Sequence, residues 1–359
     1  MPEYYDKIQM KFICYSDWEQ LPDSANALFE QVEQESIFLS RPWFESVSAC
    51  ALKDDLILSL ACVMAEDRMM AILPLVMNAK HNGYSLKHGY TPLYSLLLAD
   101  DDQAQVLDCL GQGLSEMPFN GLLLEPVADN DNKLLGLQRV LAASGYSCSF
   151  TFRHYNWIYR VQGQSYEEYL AERPSTLRNT LSRKSRKLER EHGYDIRLFV
   201  GDEAPLAMPD YHAVYNASWK QNELNNAGFL DGFVEDFSRA GWSRLGILYV
   251  KEQAVAAQLW FVCQGKASIF RLAYDQDWSS YSPGSILTGF MMEYVIDIDK
   301  VEEIDFLTGN DTYKQDWMSE RRERYVLSCV KSAQHCGRSG LFVESLKRML
   351  EKLALWHRT

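Results

Sequence analysis

The chain has 359 residues, 47% of them hydrophobic, and a formal net charge of −13. That length suits two domains of ordinary size or one large one, and the composition has nothing that reads as disordered. The charge argues against a general nucleic-acid or membrane-surface protein, though not against a local basic site.

Cys14, Cys50, Cys62, Cys109, Cys148, Cys263, Cys329 and Cys336 are scattered, with no C-x-x-C pair. They read as reduced core residues of a cytoplasmic protein, not as a disulfide or zinc framework. Met1 to Lys11 is polar and carries no signal-peptide core. No apolar run approaches the roughly 20 residues that span a bilayer, so no membrane insertion is expected.

In chain order, Ile8–Tyr15 reads as a strand, Ser24–Glu35 as a helix and Pro42–Leu52 as a second helix, with Pro42 in its first turn. Leu56–Ala65 and Met69–Asn78 read as two strands around a turn. Pro74 inside the second implies an edge or a bend. His81–Leu98 is rich in Gly and Tyr and carries no clear period. Ala104–Glu116 is an expected helix, Gly121–Glu125 a strand, and Lys133–Ser144 a helix stopped by Gly145. Ser147–Val161 gives one or two further strands.

Gln162-Gly163-Gln164-Ser165 is the best boundary. It sets domains at 1–162 and 163–335, with a C-terminal amphipathic helix in 336–359. The second half opens with the segments Tyr166–Ala171 and Pro174–His192, the latter holding an amphipathic helix over Leu177–Arg190. Then follow a strand at Asp195–Val200, helices at Met208–Asn225 and Phe229–Arg239, and a strand at Leu245–Lys251. Ala254–Cys263 and Ser268–Tyr274 form a hairpin. From Ile286 the period turns helical through Leu287, Phe290, Met291, Tyr294, Val295 and Ile298, and Val301–Thr308 is a short strand. A polar loop follows at Gly309–Lys314. Leu341–Trp356 reads as the amphipathic helix, docked on the protein rather than on lipid.

Ser282-Pro283-Gly284-Ser285 opens the helix after the hairpin. Ser282 suits an N-cap, Pro283 the first helical position, and Gly284 removes a side chain where a ligand would meet the backbone. No acid sits in this first turn, so its N–H groups suit an anion such as a pyrophosphate. An ordinary capped helix fits the same residues. Leu177–Arg190 holds Arg178, Arg183, Lys184, Arg186, Lys187 and Arg190 on an amphipathic helix. It is either a phosphate-capturing surface or a solvated face.

Tyr281-Ser282-Pro283-Gly284, the helix after it, Asp305, Tyr313-Lys314, the basic run and Trp219 resemble the GNAT superfamily. The branch is the one with cellulose-biosynthesis-type acetyltransferase domains, related to Fem-type aminoacyl transferases. The similarity covers about Tyr166 to Val326. It implies an α/β chain of two tandem GNAT-like domains with mixed central sheets. The second would be active and the first would shape the acceptor pocket. It also implies acetyl-CoA or another acyl-CoA as co-substrate, with Ser282, Gly284, Ser285 and Ile286 at its pyrophosphate and Arg183 and Arg186 at its phosphates. The chain departs from the usual Gln/Arg-x-x-Gly-x-Gly/Ala loop, since one glycine remains.

Asp305, Asn310, Asp311, Tyr313 and Lys314 crowd the end of a strand, where α/β folds bind ligands. Acyl transfer to an amine needs a proton acceptor and an acid for the leaving thiolate. Asp305 or Asp311 suits the first role and Tyr313 the second; Lys314 suits a phosphate or the oxyanion. Asp305 in a structural hydrogen bond and Tyr313 in packing are the blander readings. Many GNAT enzymes carry a basic Glu on the strand matching Ala254–Cys263, where this chain has Gln258. Trp219 reads as a core residue or as a stacking surface on the acceptor side, with Asn310 also toward the substrate.

No His spacing suggests a metal, and no G-x-S-x-G, Walker A or G-x-G-x-x-G motif occurs. The favoured reading is N-acyl transfer by direct attack of the amine, since no Cys or Ser nucleophile is evident. The acceptor would be a small-molecule or nucleotide-linked amine. The alternatives are aminoacyl transfer from a tRNA and a non-catalytic anion-binding module.

Overall fold

The computed structural model describes residues 9–52, 56–220 and 227–331. The expected helix Leu341–Trp356 lies outside them, as does the end of the one expected over Met208–Asn225. The chain forms two compact units. One holds the chain to Gln34, Phe38–Arg153 and the chain from Arg324; the other holds Glu35–Ile37 and His154–Glu323.

The first unit contains β1 (Met10–Tyr15), α1 (Ser24–Glu33), α2 (Arg41–Ala51), β2 (Leu56–Ala65), β3 (Arg68–Asn78), β4 (Asn82–Ser85) and β5 (Leu97–Leu98). α3 (Gln103–Glu116), β6 (Gly121–Ala128), α4 (Asn132–Ala143) and the first half of β7 (Tyr146–Arg160) follow. α2 starts where the Ser40 hydroxyl accepts from the Trp43 N–H with Pro42 in the first turn, the cap that the sequence spells. β1 to β4 are antiparallel in order, and β4 runs parallel to β6 from Asn82↔Gly121 to Tyr84↔Leu123.

Pro74 departs from expectation, because β3 is interior. On one side β3 pairs with β2; on the other it pairs with β5 at Ala71 and Ile72 and with β4 from Leu75. Pro74 falls between those two stretches, where no partner strand asks for its missing N–H. Its carbonyl still accepts from the Leu86 N–H and the Tyr94 hydroxyl.

The second unit takes the rest of β7, then α5 (Tyr166–Glu172), α6 (Ser175–Glu191), β8 (Asp195–Val200), α7 (Met208–Asn216) and α8 (Ala227–Arg239). It continues with β9 (Ser243–Val250), β10 (Gln253–Cys263), β11 (Lys266–Tyr274), α9 (Pro283–Asp297), β12 (Glu303–Thr308), α10 (Thr312–Trp317) and the start of β13 (Glu320–Lys331). The order of the first unit recurs. β8 to β11 are antiparallel, and β11 runs parallel to β12 through the crossover α9. β12 is then flanked by antiparallel β7, as β6 is flanked by antiparallel β13. α10 stands where a polar loop was expected, and β13 has no counterpart in the sequence reading.

α9 is apolar on nearly every side because it is enclosed by the sheet on one side and by α5 and α6 on the other. Leu287, Met291, Met292 and Val295 are fully buried beside Trp260 and Ile304. Each such side chain contributes about 1.5–3 kcal/mol. A Cβ on Gly246 would lie 2.5 Å from the Met291 sulfur, so glycine lets the helix sit close to β9. Phe233, Phe237, Phe261 and Phe270 interlock on the opposite sheet face, where α8 lies. Among the described residues no helix is long and apolar enough to cross a membrane.

Candidate active site

β11 and β12 pair only at Lys266↔Glu303, Ala267↔Ile304 and Ser268↔Asp305. Beyond these three pairs β11 keeps to β10 as far as Tyr274, while β12 bulges on its β7 side between Asp305 and Thr308. The two carboxyl ends therefore part. An opening between parallel strands at that end is where α/β sheets take ligands. The bulge is held by Asp305, whose carboxylate accepts from the Leu307 N–H at 2.6 Å. Leu307 adopts φ 53°, a left-handed backbone that this bond helps to fix. Asp305 thus has the structural bond foreseen as one of its readings.

The start of α9 is tied down over the same end of β10 and β11. The buried Gln258 side-chain N–H group donates to the Gly284 carbonyl at 2.9 Å and to the Thr288 hydroxyl at 2.7 Å. Its oxygen accepts from the Trp260 indole N–H at 2.9 Å. A Cβ on Gly284 would meet the Tyr274 ring at 3.1 Å. Glycine here lets strand end and helix start touch, a packing reason beside the expected ligand reason.

Ser282 departs from the expected cap. It precedes α9, but with φ 54° and no side-chain hydrogen bond into the helix. Its carbonyl accepts from the N–H groups of both Ser285 and Ile286. Gly284 is the residue of this turn whose N–H finds no acceptor among the described residues. The turn offers an anion fewer free donors than the sequence implies. Ser285 is half-buried and Ile286 buried.

α6 lies beside this turn. Lys184 donates to the Ser280 carbonyl, and the Lys187 ammonium sits 4.4 Å from the Tyr281 ring centre. Arg183 and Arg186 are exposed, with no ion-pair partner among the described residues. α6 therefore touches the segment before α9 through Lys184 and Lys187 and carries two exposed guanidinium groups, those of Arg183 and Arg186.

Tyr313 and Lys314 lie in α10, just after β12. The Tyr313 ring is 6.4 Å from that of Phe306, and the residue is 43% exposed. Desolvation of the phenol by the surrounding protein, then the Asp311 carboxylate, raises its pKa above the ordinary tyrosine value. Lys314 is buried. Its ammonium donates to the carbonyls of Thr308 (2.7 Å), Phe306 (2.9 Å) and Leu307 (3.5 Å). These contacts occupy its three N–H groups and make it a clamp between α10 and the end of β12, where a phosphate or oxyanion contact was expected. Burial lowers its pKa, opposed by Asp311 and Asp305. Asp311 is exposed and 3.9 Å from Lys314. Asn310, also exposed, accepts from the Trp157 indole at 3.1 Å.

Trp219 is not a core residue. It is 50% exposed in the turn after α7, with its ring centre 4.7 Å from that of Tyr274. A line of contact thus runs from Trp219 through Tyr274 to Gly284. Sequence reading passed over Tyr274, although it closes the β11 run on the same face as Leu272. It also passed over Asn156. That residue is fully buried, with its amide 3.5 Å from the Asp305 carboxylate and its carbonyl oxygen without a partner among the described residues. A lone Asn in a long strand gives no such signal.

A hollow of 740 Å³ lies elsewhere, at the amino ends of β11 and β12, lined by Arg160, Ser165, Lys266, Lys300 and Glu303 among others. Its charges partly neutralise one another, Arg160 lying 3.8 Å from Glu303.

Residues 175–315, which contain the strand opening, α6, α9 and the start of α10, match the family described as acetyltransferase (GNAT) domain. The segment is similar to that family over these residues. Sequence comparison with curated proteins gives no match. Among solved structures, FemX is similar over 84% of this chain and 95% of its own, at 9% identity and TM-score 0.61. A conserved protein of unknown function from Bacteroides thetaiotaomicron is similar over 89% and 100%, at 13% identity and TM-score 0.55. L-PGS from Bacillus licheniformis is similar over 78% and 86%, at 12% identity and TM-score 0.50. At these identities the likeness is one of fold. The matched segment contains the parted strands, with α9 as the crossover between them.

Proposed function

We propose that this chain is an N-acyltransferase that moves an acyl group, acetyl in the simplest case, from acyl-coenzyme A to an amine. The observation that carries the reading is the parting of β11 and β12 after three residue pairs, beside the anchored start of α9 within the segment that matches the GNAT family. In this reading the thioester enters the opening. The donor's phosphates meet the Gly284 N–H and the turn of Ser282, Ser285 and Ile286, with Arg183 and Arg186 alongside. The amine nitrogen bonds to the acyl carbon, the C–S bond breaks, and the thiolate takes the Tyr313 proton. Asp311, exposed beside Tyr313, receives the proton of the amine through water; Asp305 and Lys314 hold the strand end in shape. Trp219, on Tyr274, and Asn310 border the acceptor, a small-molecule or nucleotide-linked amine in the cytoplasm. Gln258 is fully engaged as a tie and takes no part as a base.

Aminoacyl transfer from aminoacyl-tRNA is the second reading. It follows from the Fem-type resemblance and is favoured by the uncommitted arginines of α6, which suit a nucleic-acid backbone as well as a coenzyme phosphate.

Thermal unfolding with acetyl-coenzyme A, with coenzyme A and with aminoacyl-tRNA separates these readings, since a ligand of the native state raises the midpoint. Ser285→Glu is the control. Glu suits the first turn of a helix, so fold and midpoint should hold, while its carboxylate repels the donor's phosphates. Acetyl-coenzyme A is expected to stabilise the wild type and not Ser285→Glu. Stabilisation by aminoacyl-tRNA alone would move the donor to the second reading. A midpoint that no donor moves would leave a non-catalytic module.

A further inference from the structure

Cys148 on β7 and Cys329 on β13 bring their sulfurs to 2.7 Å, in the first unit and apart from every residue of the candidate site. The two thiols differ in surroundings. Cys329 is 1% exposed, while Cys148 is half-buried and open to a small solute. Neighbouring rings stiffen the pair of strands: Phe150 stacks on Tyr325 at 4.5 Å with the planes 6° apart, and Phe152 meets the same ring edge-on. The sulfurs are thus held together by a rigid part of the sheet, not by chance contact of two mobile loops.

We propose that Cys148 and Cys329 form an oxidisable thiol pair that closes to a disulfide under a hydroperoxide, Cys148 acting first and Cys329 resolving. The order follows from access and from charge. The hydrogen bond between the two sulfurs lowers the Cys148 pKa against the opposing effect of its partial burial, whereas that same bond and burial raise Cys329. The Cys148 thiolate attacks the terminal peroxide oxygen and the O–O bond breaks, giving a Cys148 sulfenic acid, while the alkoxide (hydroxide, for hydrogen peroxide) leaves and is protonated to the alcohol or to water. The Cys329 sulfur then attacks the sulfenic sulfur of Cys148. The S–S bond forms, the S–O bond breaks, and the hydroxyl leaves as water with the Cys329 proton. Two thiols and one hydroperoxide thus give one disulfide, water and the corresponding alcohol, or a second water from hydrogen peroxide. Partners 181 positions apart become joined, which removes a long loop from the freedom of the unfolded chain.

The test treats the full chain with a modest excess of hydrogen peroxide and maps the peptides without reduction. Expected are the loss of two hydrogens in mass, a cross-linked peptide joining Cys148 to Cys329, reversal by dithiothreitol, and a higher Tm for the oxidised form. Cys329→Ala should leave a Cys148 sulfenic acid that dimedone traps. Cys148→Ser, at the more exposed site, should abolish both the cross-link and the dimedone adduct. An unchanged wild-type mass, or the same loss of two hydrogens in Cys148→Ser, would overturn the pairing. Dimedone capture at Cys329 in Cys148→Ser would overturn the order. None of these readouts depends on acyl transfer.

Discussion

The Gln258 side chain donates at 2.9 Å to the carbonyl of Gly284, and so joins the middle of β10 to the first turn of α9. With the bonds to Thr288 and Trp260, each polar atom of this fully buried amide has a partner. The residue stands where many GNAT enzymes carry a glutamate, but it fixes the turn that is proposed to meet the donor's phosphates.

Gln258→Leu should therefore lower Tm and weaken donor binding together. It strands the Trp260 indole N–H and removes the tie to Gly284, and a buried group left unsatisfied costs about 1–3 kcal/mol. Gln258→Glu should also lower Tm, because a carboxylate cannot donate to the Gly284 carbonyl. Thermal melts and donor titration on both variants are the measurements. A Gln258→Glu enzyme with raised kcat and wild-type Tm would show that the position is a vacant base site.

Tyr313→Phe keeps the ring against Phe306 and deletes the proton offered to the thiolate. The expected outcome is a fall in kcat of about 10²–10⁴-fold with donor affinity and Tm unchanged. Because the phenol pKa is raised, the donor form persists past the ordinary tyrosine range. The wild-type kcat–pH profile should then show no alkaline fall from this group near the usual phenol value. Steady-state kinetics across pH checks both statements, and wild-type kcat in Tyr313→Phe would remove it as the acid.

Lys314→Met should act on stability first. It deletes the donors to three strand-end carbonyls, so Tm should fall, and donor Kd should change less than a lost phosphate contact requires. The sign of the pH effect follows from the lowered pKa. Between that value and the ordinary lysine value the unfolded chain binds more protons than the folded one. The Lys314 contribution to stability therefore rises with pH across that window. The difference between wild type and Lys314→Met, followed by denaturant unfolding, should show this rise. A difference flat in pH would mean that the ammonium is not desolvated.

Arg183→Ala combined with Arg186→Ala should weaken donor binding and flatten its salt dependence, with Tm unchanged because both side chains are exposed. Titration at several salt concentrations measures it. If affinity and salt response both hold, α6 is a solvated face and the phosphates are met elsewhere.

Much of the local structure was legible because it is set by near neighbours. Ser40 with Pro42 starts α2, the apolar period from Ile286 makes α9, and the hairpin β10–β11 follows from its alternation and its turn. The resemblance to GNAT acyltransferases was carried by such local runs as well. Pro74 shows the limit of that kind of reading, since its place in an interior strand depends on a gap between two partners that the chain reaches later.

Sequence by itself determined most of the strands and helices up to β12, the acid-free first turn at Pro283–Ser285 and the cluster of polar residues after β12, but not β4, β5, α10 or β13. Only the tertiary structure decided what each of those residues is free to do. Lys314 is held by three carbonyls, Asp305 holds a bulge, and Ser282 offers its carbonyl rather than its hydroxyl to the helix. Trp219 lies half-exposed on Tyr274, and Cys148 meets Cys329 across most of the second half of the sequence. The physical reason is that periodicity and capping depend on residues within a turn or two. The freedom of a donor or acceptor depends on which distant strand, ring or carbonyl the fold brings within about 3 Å of it.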